Sequence, residues 1–174
     1  MKKLVRLKIG LMKSLSYRDI TKSALWTVST VKGGYDISSM FDNKTDTFWQ
    51  SDAVPPHWIC AQFSKQTTLS KLSLFLSIQL DDTYTPTEVV IHVGTDPMNL
   101  TEFRREQLVH FQGWVDIELN VSTIFLKISL TKNHQGGRDS RIRQIKLLGA
   151  PYSPCIDSSV CFLSPEVTKF LSIR

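Results

Sequence analysis

The chain has 174 residues, of which 41% are hydrophobic and 21% are charged, a composition typical of one soluble globular domain with a substantial core. The formal net charge is +5, but the first 18 residues carry six basic side chains and no acidic one, so residues 19–174 sum to 5 − 6 = −1. This near-neutral body disfavours a nucleic-acid-binding surface, and the sequence lacks the long apolar run that spans a bilayer. We therefore expect neither nucleic acid nor membrane as a partner.

The first segment, MKKLVRLKIGLMKSLSY, is predicted to be a basic N-terminal extension at residues 1–17. Arg6 and Lys8 interrupt its apolar positions, which disfavours a secretory signal. A mitochondrial transit peptide stays a second interpretation, because the segment is basic, free of acidic residues and contains Ser14 and Ser16. A solvated terminus is the interpretation that we favour.

The body of the chain, residues 18–150, is predicted to be a single all-β domain. The stretches that we predict to be strands are ALWTVS (24–29), WICAQF (58–63), KLSLFLSI (71–78), EVVIHV (88–93), WVDIEL (114–119), IFLKISL (124–130) and RIRQIKLL (141–148). Strict alternation in WVDIEL indicates a strand with one buried and one solvated face. Turn-forming residues separate the strands and no helical crossover intervenes, which favours an antiparallel sandwich or barrel.

Three segments depart from regular strands. The stretch DISSMFDNKTDTFWQSD is predicted to hold one short helical turn, and a bulge is expected near Gln144, where the apolar phase of RIRQIKLL breaks. Residues 151–174 are predicted to be a C-terminal tail with a short helix at Ser164–Leu171. Ser164 is a candidate N-cap there, and Pro165 occupies the first helical position.

The chemistry-bearing residues give little support for an enzyme. The chain contains no GxSxG elbow, and its four histidines lie far apart in the sequence. His92 and Cys60 fall inside predicted strands, where structural roles are expected, although a Cys60–His134 dyad stays open on sequence alone. The three cysteines do not form an even-numbered disulfide framework, so we expect a reducing compartment.

Metal and sugar sites are also disfavoured. The chain has no HExxH motif and no zinc-type spacing of cysteine and histidine. The stretch DNKTDTFWQSDA resembles a calcium loop, but it lacks glycine at the sixth place and glutamate at the twelfth. We expect its polar residues to close their own turns while Trp49 enters the core. Most tryptophans lie in apolar runs, which leaves few exposed aromatic side chains for a sugar.

The loop NHQGGRD (133–139) is the most unusual stretch of the sequence. It contains two amides, an imidazole, two glycines and an oppositely charged pair, and it lies between two predicted strands. No Lys-Ser/Thr pair or helix follows it, which disfavours a phosphate cradle. Protein recognition by a rigidly held polar loop and a self-satisfied turn both stay open. In either case we expect Arg138 and Asp139 to brace each other.

Four motifs in order resemble the Doc-domain subunits of the anaphase-promoting complex. They are DNKTDTFWQSD (42–52), PHWICAQF (56–63), DTYTP (82–86) and NHQGGRDSRIRQIKL (133–147). The chain also ends in Ser-Ile-Arg, as members of that family do. The resemblance implies a galactose-binding-like jelly roll without catalytic activity or cofactor. Where the family usually has asparagine, this chain has Gly136, so the loop is expected to be looser.

The resemblance also implies a function and a set of partners. The family's subunit is a substrate-recognition component of a ubiquitin ligase that acts in mitosis and cell division. It is a co-receptor for the destruction-box degron beside a WD-repeat coactivator, which raises residence time and processive ubiquitination. Its terminal Ile-Arg, here Ile173 and Arg174, docks into a tetratricopeptide-repeat subunit. The implied localisation is nucleus and cytoplasm.

The site residues that the resemblance implies lie in two neighbouring loops. They are Asn133, His134, Gln135, Gly137, Arg138 and Asp139 in the first loop, with Asp81, Asp82 and Tyr84 in the second. We expect Asp81 and Asp82 to complement the arginine of an Arg-x-x-Leu degron. The alternative is a discoidin-like module that binds carbohydrate or lipid on the same fold. It is disfavoured because the sequence lacks an evident secretory signal and Cys155 and Cys161 lie together near one end.

Overall fold

The computed structural model describes residues 17–108 and 112–149. Within them the chain forms one short helix, α1 (Ile78–Asp81), and nine strands. The strands are β1 (Arg18–Asp19), β2 (Leu25–Val28), β3 (Trp49–Gln50), β4 (His57–Ser77), β5 (Pro86–Gly94), β6 (Thr101–Gln107), β7 (Gln112–Asn133), β8 (Arg141–Ile142) and β9 (Gln144–Gly149). Single 3-10 turns occur at Thr21–Ser23, Ile37–Met40, Asp82–Tyr84 and His134–Gly136.

Two long antiparallel strands, β4 and β7, organise the domain. Their register is irregular between Gln62 and Thr67, which divides the pair into two halves. The first half of β4 pairs with β2 and with the end of β7, which pairs in turn with β5, and β5 pairs with β6. The second half of β4 pairs with the start of β7 and with β9, and β9 pairs with β1. The β4–β7 pair therefore contributes to both layers of an antiparallel sandwich, as predicted from the sequence.

A β-bulge explains how both halves of β4 face one core. In the first half the core side chains occupy odd positions, such as Ile59 and Ala61, whereas in the second half they occupy even positions, such as Leu72 and Leu74. Between Leu69 and Lys71, β4 has one residue more than its partner β9, whose Gly149 and Leu148 pair with them. This extra residue changes the inward-facing set of β4. Both sets belong to a single buried hydrophobic cluster.

The course of β4 brings its two ends together beside the two loops that carry the predicted site residues. His57 at its start touches the loop after β7 through a hydrogen bond to Arg138, and Ser77 at its end caps α1, which begins the second loop. Both ends of β4 thus meet at one end of the sandwich. Residues 62–67, where β4 bends, lie at the opposite end.

Four predicted strands merge into two in the structure, and a fifth divides. WICAQF and KLSLFLSI form the single strand β4, and WVDIEL and IFLKISL form the single strand β7. The stretch RIRQIKLL instead divides at Arg143, because β8 pairs with β3 while β9 pairs with β4. The irregularity expected near Gln144 therefore lies one residue earlier. The edge strand β6 was not predicted, since its side chains are almost all solvent-exposed.

The predicted short helical turn is present at Ile37–Met40, where the Asp36 carboxylate accepts a hydrogen bond from Ile37 N. Trp49 is fully buried in the core, as expected, whereas Trp114 is exposed. No described helix is long and apolar enough to cross a membrane. The predicted extension at residues 1–17, apart from Tyr17, and the predicted tail at residues 151–174 lie outside the described residues, so both boundaries stay predictions.

Candidate functional site

Two loops meet at the end of the sandwich, and we call their combined surface the loop face. The first loop follows β7 and spans residues 133–139, and the second spans residues 81–85 before β5. His134 N donates a hydrogen bond of 2.9 Å to Thr85 O. A Cβ atom placed on Gly137 would lie 1.8 Å from Thr83 O, so only glycine allows the two backbones to approach this closely. The loops therefore form one unit.

Asn133 holds the first loop in shape from within. Its side chain is buried and donates hydrogen bonds of 3.0 and 2.8 Å to the carbonyl oxygens of Gly137 and Asp139. Its own oxygen accepts a bond of 2.8 Å from Ser140 Oγ. This part of the motif is the self-satisfied turn that the sequence left open, because the amide is fully used by its own loop.

The sequence analysis did not identify the buried groups that lie beneath the first loop. His57 Nε2 lies 2.7 Å from Arg138 O, and since a carbonyl only accepts, the imidazole donates from Nε2. Ser51 exchanges two bonds with Ser140, through Ser140 N to Ser51 Oγ and Ser51 N to Ser140 O. His57 and Ser51 belong to the motifs PHWICAQF and DNKTDTFWQSD, so the sequence order of the motifs was the signal that could have found them.

Asp81 organises the second loop through a buried ion pair. Its carboxylate accepts two bonds from Arg143, 2.7 Å from Nε and 2.8 Å from Nη2, and lies 3.5 Å from Arg141 Nη1. Asp81 is only 3% exposed. The expectation that this carboxylate complements a degron arginine is therefore corrected: Asp81 is saturated by the protein's own arginines, and its contribution to the site is to fix the loop.

Asp82 and His134 form a hydrogen-bonded pair on the loop face. His134 Nδ1 lies 3.2 Å from Asp82 Oδ1, and the Asp82 side chain is 68% exposed. Gln135, beside them, is also exposed and adopts a positive φ of 51°, a conformation sparsely used by non-glycine residues and associated with functional loops. These three side chains point the polar groups of both loops toward solvent.

The last two charged residues of the first loop do not pair with each other. Asp139 accepts bonds of 3.3 Å from Lys32 Nζ and 3.1 Å from Gln50 Nε2. No ion pair joins Arg138 to Asp139 within residues 17–108 and 112–149, so the predicted brace is corrected. Asp139 instead ties the loop to the segment between β2 and β3, while Arg138 is exposed.

A stack of planar side chains borders the loop face. The guanidinium carbon of Arg141 lies 4.3 Å from the Phe48 ring centroid and 4.0 Å from that of Tyr84. Tyr35 stacks on the other side of Phe48 at 4.9 Å between centroids. Tyr84 was implied as a site residue, but Tyr35, Phe48 and Arg141 were missed. Cation–π contacts of this kind hold the stack in a fixed geometry.

The arrangement offers hydrogen bonds and charge but not nucleophilic chemistry. Cys60, the fourth residue of β4, pairs with Lys127 of β7. Lys127 lies seven residues before His134, which is on the order of 20 Å along an extended strand. A Cys60–His134 dyad is therefore wrong, and burial raises the pKa of the Cys60 thiol. Burial also disfavours the charged form of His92 and therefore lowers the pKa of its imidazole. Within the described residues, His, Cys, Asp and Glu side chains do not assemble into a group that could hold a metal.

Solved structures define the class of this fold. A family 32 CBM from Clostridium perfringens, solved with galactose, matches with a TM-score of 0.64 at 14% identity over 76% of this chain and 99% of that chain. A chitosan-binding module from Paenibacillus matches with a TM-score of 0.63 at 19% identity over 76% of this chain and 99% of that chain. The domain is thus a galactose-binding-like jelly roll. Identities this low show the fold alone.

Sequence relatives define the family within that class. The family model for "Anaphase-promoting complex, subunit 10 (APC10)" matches residues 3–170. A relative of that name from Dictyostelium discoideum is 39% identical over 164 residues, 90% of this chain and 86% of its own length. The one from Mus musculus is 33% identical over 156 residues, 86% and 82% of the two chains. The chain belongs to the family of anaphase-promoting complex subunit 10, as the Doc-domain resemblance predicted.

Proposed function

We propose that this chain is a non-catalytic, substrate-recognition subunit of the anaphase-promoting complex, and that its loop face is a co-receptor for the destruction-box degron. The observation that supports this most directly is the division of labour within the predicted site. Asn133, Asp81, Gly137 and Asp139 hold the two loops in place, which leaves Asp82, Gln135 and Arg138 exposed and His134 partly exposed on this support. Preorganised polar groups of this kind bind with little loss of conformational freedom.

The exposed set contains the chemistry that a degron with an arginine requires. The Asp82 carboxylate is largely exposed, and the His134 ring is its one hydrogen-bond partner among the described residues. A guanidinium ligand can therefore pair with Asp82 directly or displace the imidazole. Gln135 adds an amide with donor and acceptor groups. Asp82, rather than Asp81, is the carboxylate that we assign to this contact.

A weak contact of this size is sufficient when the degron is also held by the WD-repeat coactivator. The second contact becomes intramolecular, with an effective concentration in the millimolar range for short linkers. Modest contacts then act mainly on dissociation. The substrate stays longer beside the ubiquitin-transfer site and receives more ubiquitins in one encounter.

The remaining parts of the proposal concern assembly and location. We infer that Ile173 and Arg174 anchor the chain in a tetratricopeptide-repeat subunit, because an apolar side chain next to a guanidinium suits a groove between helices. Both residues lie outside the described part of the chain. The nucleus and the cytoplasm are the compartments in which such a complex meets mitotic substrates, and we propose both.

The test is the dissociation rate of a fluorescent destruction-box peptide from the coactivator-bound complex. Replacing Asp82, His134 and Gln135 by alanine is expected to weaken binding by about 1–3 kcal/mol in total, the scale of a small hot spot. This corresponds to roughly 5- to 150-fold faster dissociation. The matched control replaces Gln62, Lys65 and Gln66, exposed polar residues in the middle of β4, at the opposite end of the sandwich. Equal rates for the triple variant and the wild type would refute the assignment.

A further inference from the structure

Trp114 is an exposed aromatic side chain on β7, where it pairs with Phe75 near the end of β4. It is 44% exposed and points outward, because its neighbour Val115 is buried in the core. Phe75 on β4 meets it edge-on at 5.5 Å, and Lys146 Nζ on β9 lies 4.7 Å above its ring. We call these three residues the Trp114 shelf. Exposed tryptophan is enriched in protein interfaces.

A cleft of about 280 Å³ adjoins the shelf and shares Lys146 with it. Phe41 and Ile145 form its apolar walls, and the amides of Asn43 and Gln144 contribute polar groups. Lys22, in the 3-10 turn after β1, also lines the cleft. The cleft and the shelf therefore form one continuous surface that combines apolar area with two lysines.

The charges of this surface are not balanced within the described residues. Lys71, on the same face, is neutralised by Asp116 at 3.0 Å and by Glu118 at 3.6 Å. Lys22 and Lys146, in contrast, have no carboxylate within 4.0 Å in the described part of the chain. The cleft contains one acidic residue, Asp19, and its carboxylate accepts a bond of 2.9 Å from Thr21 N. Two ammonium groups that make no ion pair in the described part of the chain thus flank an exposed apolar surface, and Asp19 offsets only one of the two positive charges.

We propose that the Trp114 shelf and its cleft dock a segment of another subunit of the complex that carries a carboxylate next to an apolar side chain. The carboxylate lies between Lys22 and Lys146, and the apolar side chain covers Trp114. Charge complementarity favours this occupant over a second copy of the chain, which would bring lysines onto lysines. The proposal rests on membership in the complex but not on degron recognition, because the shelf and the cleft share no residue with the loop face.

The test places the photocrosslinking residue p-benzoylphenylalanine at Trp114 in the full chain, assembled into the complex. After irradiation, the crosslinked peptide is sequenced by mass spectrometry. The expected product joins Trp114 to another subunit, at a segment with an aspartate or glutamate within about four residues of an apolar attachment site, roughly one turn of helix. The same crosslinker at Phe103, an exposed aromatic residue on β6, controls for random crosslinking.

Charge reversal tests the two lysines separately. Lys22→Glu and Lys146→Glu are each expected to lower the crosslinking yield at Trp114 about tenfold, since each leaves a like-charged pair at the interface. Lys65→Glu changes an exposed lysine in the middle of β4 and is expected to leave the crosslinking yield unchanged. Lys22 is exposed, so its replacement keeps the test valid if Lys146→Glu impairs folding.

The possible failures are distinguishable. If the chain does not co-purify with the complex, the proposed function fails. If it co-purifies but Trp114 crosslinks only within its own chain, to a second copy, to nucleic acid or lipid, to a segment without acidic residues or to nothing, the docking proposal is overturned. An unchanged yield with Lys22→Glu overturns it as well.

Discussion

Gly137 is the residue at which the two loops of the loop face come closest. Because an added Cβ would lie 1.8 Å from Thr83 O, Gly137→Ala must push the loops apart. We expect a loss of about 1–3 kcal/mol in the free energy of unfolding, the usual cost of overpacking, measured by urea denaturation. Gly33→Ala is the control, since a Cβ there meets no atom within 4 Å. Equal stability of the two variants would show that the loops are not locked together.

Asp81 and Asp82 are adjacent in sequence but differ in what their removal is expected to do. Asp81→Asn leaves the buried Arg143 guanidinium without its counter-charge, and breaking such a pair costs about 3–5 kcal/mol. Asp82→Asn changes an exposed side chain, so we expect a stability change within about 0.5 kcal/mol. Urea denaturation of both variants distinguishes them. Comparable losses would contradict the assignment of Asp81 to structure and Asp82 to ligand.

The sequence could predict which residues gather at the loop face but not what each one does. Aspartate and asparagine serve a ligand or their own backbone equally well, and burial decides between the two uses. For Asp81 that burial depends on Arg143, a partner 62 positions away, and for Asp139 on Lys32, 107 positions away. Long-range packing of this kind leaves no local pattern in the sequence.

At the scale of elements, Glu88 connects three strands. From β5 it accepts bonds from Arg105 and Gln107 of β6 and from Thr131 and Lys132 of β7. These hydrogen bonds, with that from Thr131 the strongest influence, lower the pKa of Glu88 from 4.5 to about 2. A carboxyl group whose pKa is lower in the folded state stabilises the fold above its unfolded pKa and loses this effect as the pH falls through the folded value.

The pH dependence of unfolding tests this connection. Between pH 4.5 and about 2 the wild-type protein is expected to lose stability more steeply than Glu88→Gln, which has no proton to take up at this position. Glu102→Gln is the control, because Glu102 pairs with Arg105 on the exposed edge of the sheet, where ion pairs contribute little. Parallel stability curves for the wild type and Glu88→Gln would contradict the role assigned to Glu88.

The strands show where periodicity is informative. Alternation predicted the buried halves of β4 and β7, because one face of each half packs against the core. It did not predict that the halves are continuous, since the bulges that join them change the phase. It failed for β6, where polar residues on both faces of an edge strand give no apolar period.

In the molecule as a whole, the groups that hold the two loops are buried, and the polar groups that we propose to bind a ligand lie at the surface. The long strands β4 and β7 hold the loops from two sides, and buried groups such as His57 and Arg143 fix them from below. The exposed groups are then free to bind a ligand without rearrangement. The central claim is that this surface lengthens the stay of a destruction-box substrate on the ligase.

The most direct measurement is the number of ubiquitins added to such a substrate in a single encounter, with excess unlabelled substrate preventing rebinding. With the chain carrying alanine at Asp82, His134 and Gln135, assembled into the complex, we expect shorter ubiquitin chains while assembly and the folded state, checked by circular dichroism, are unchanged. A substrate without a destruction box is expected to show no difference. Chains of normal length on the destruction-box substrate would contradict the assignment of the loop face as a degron co-receptor.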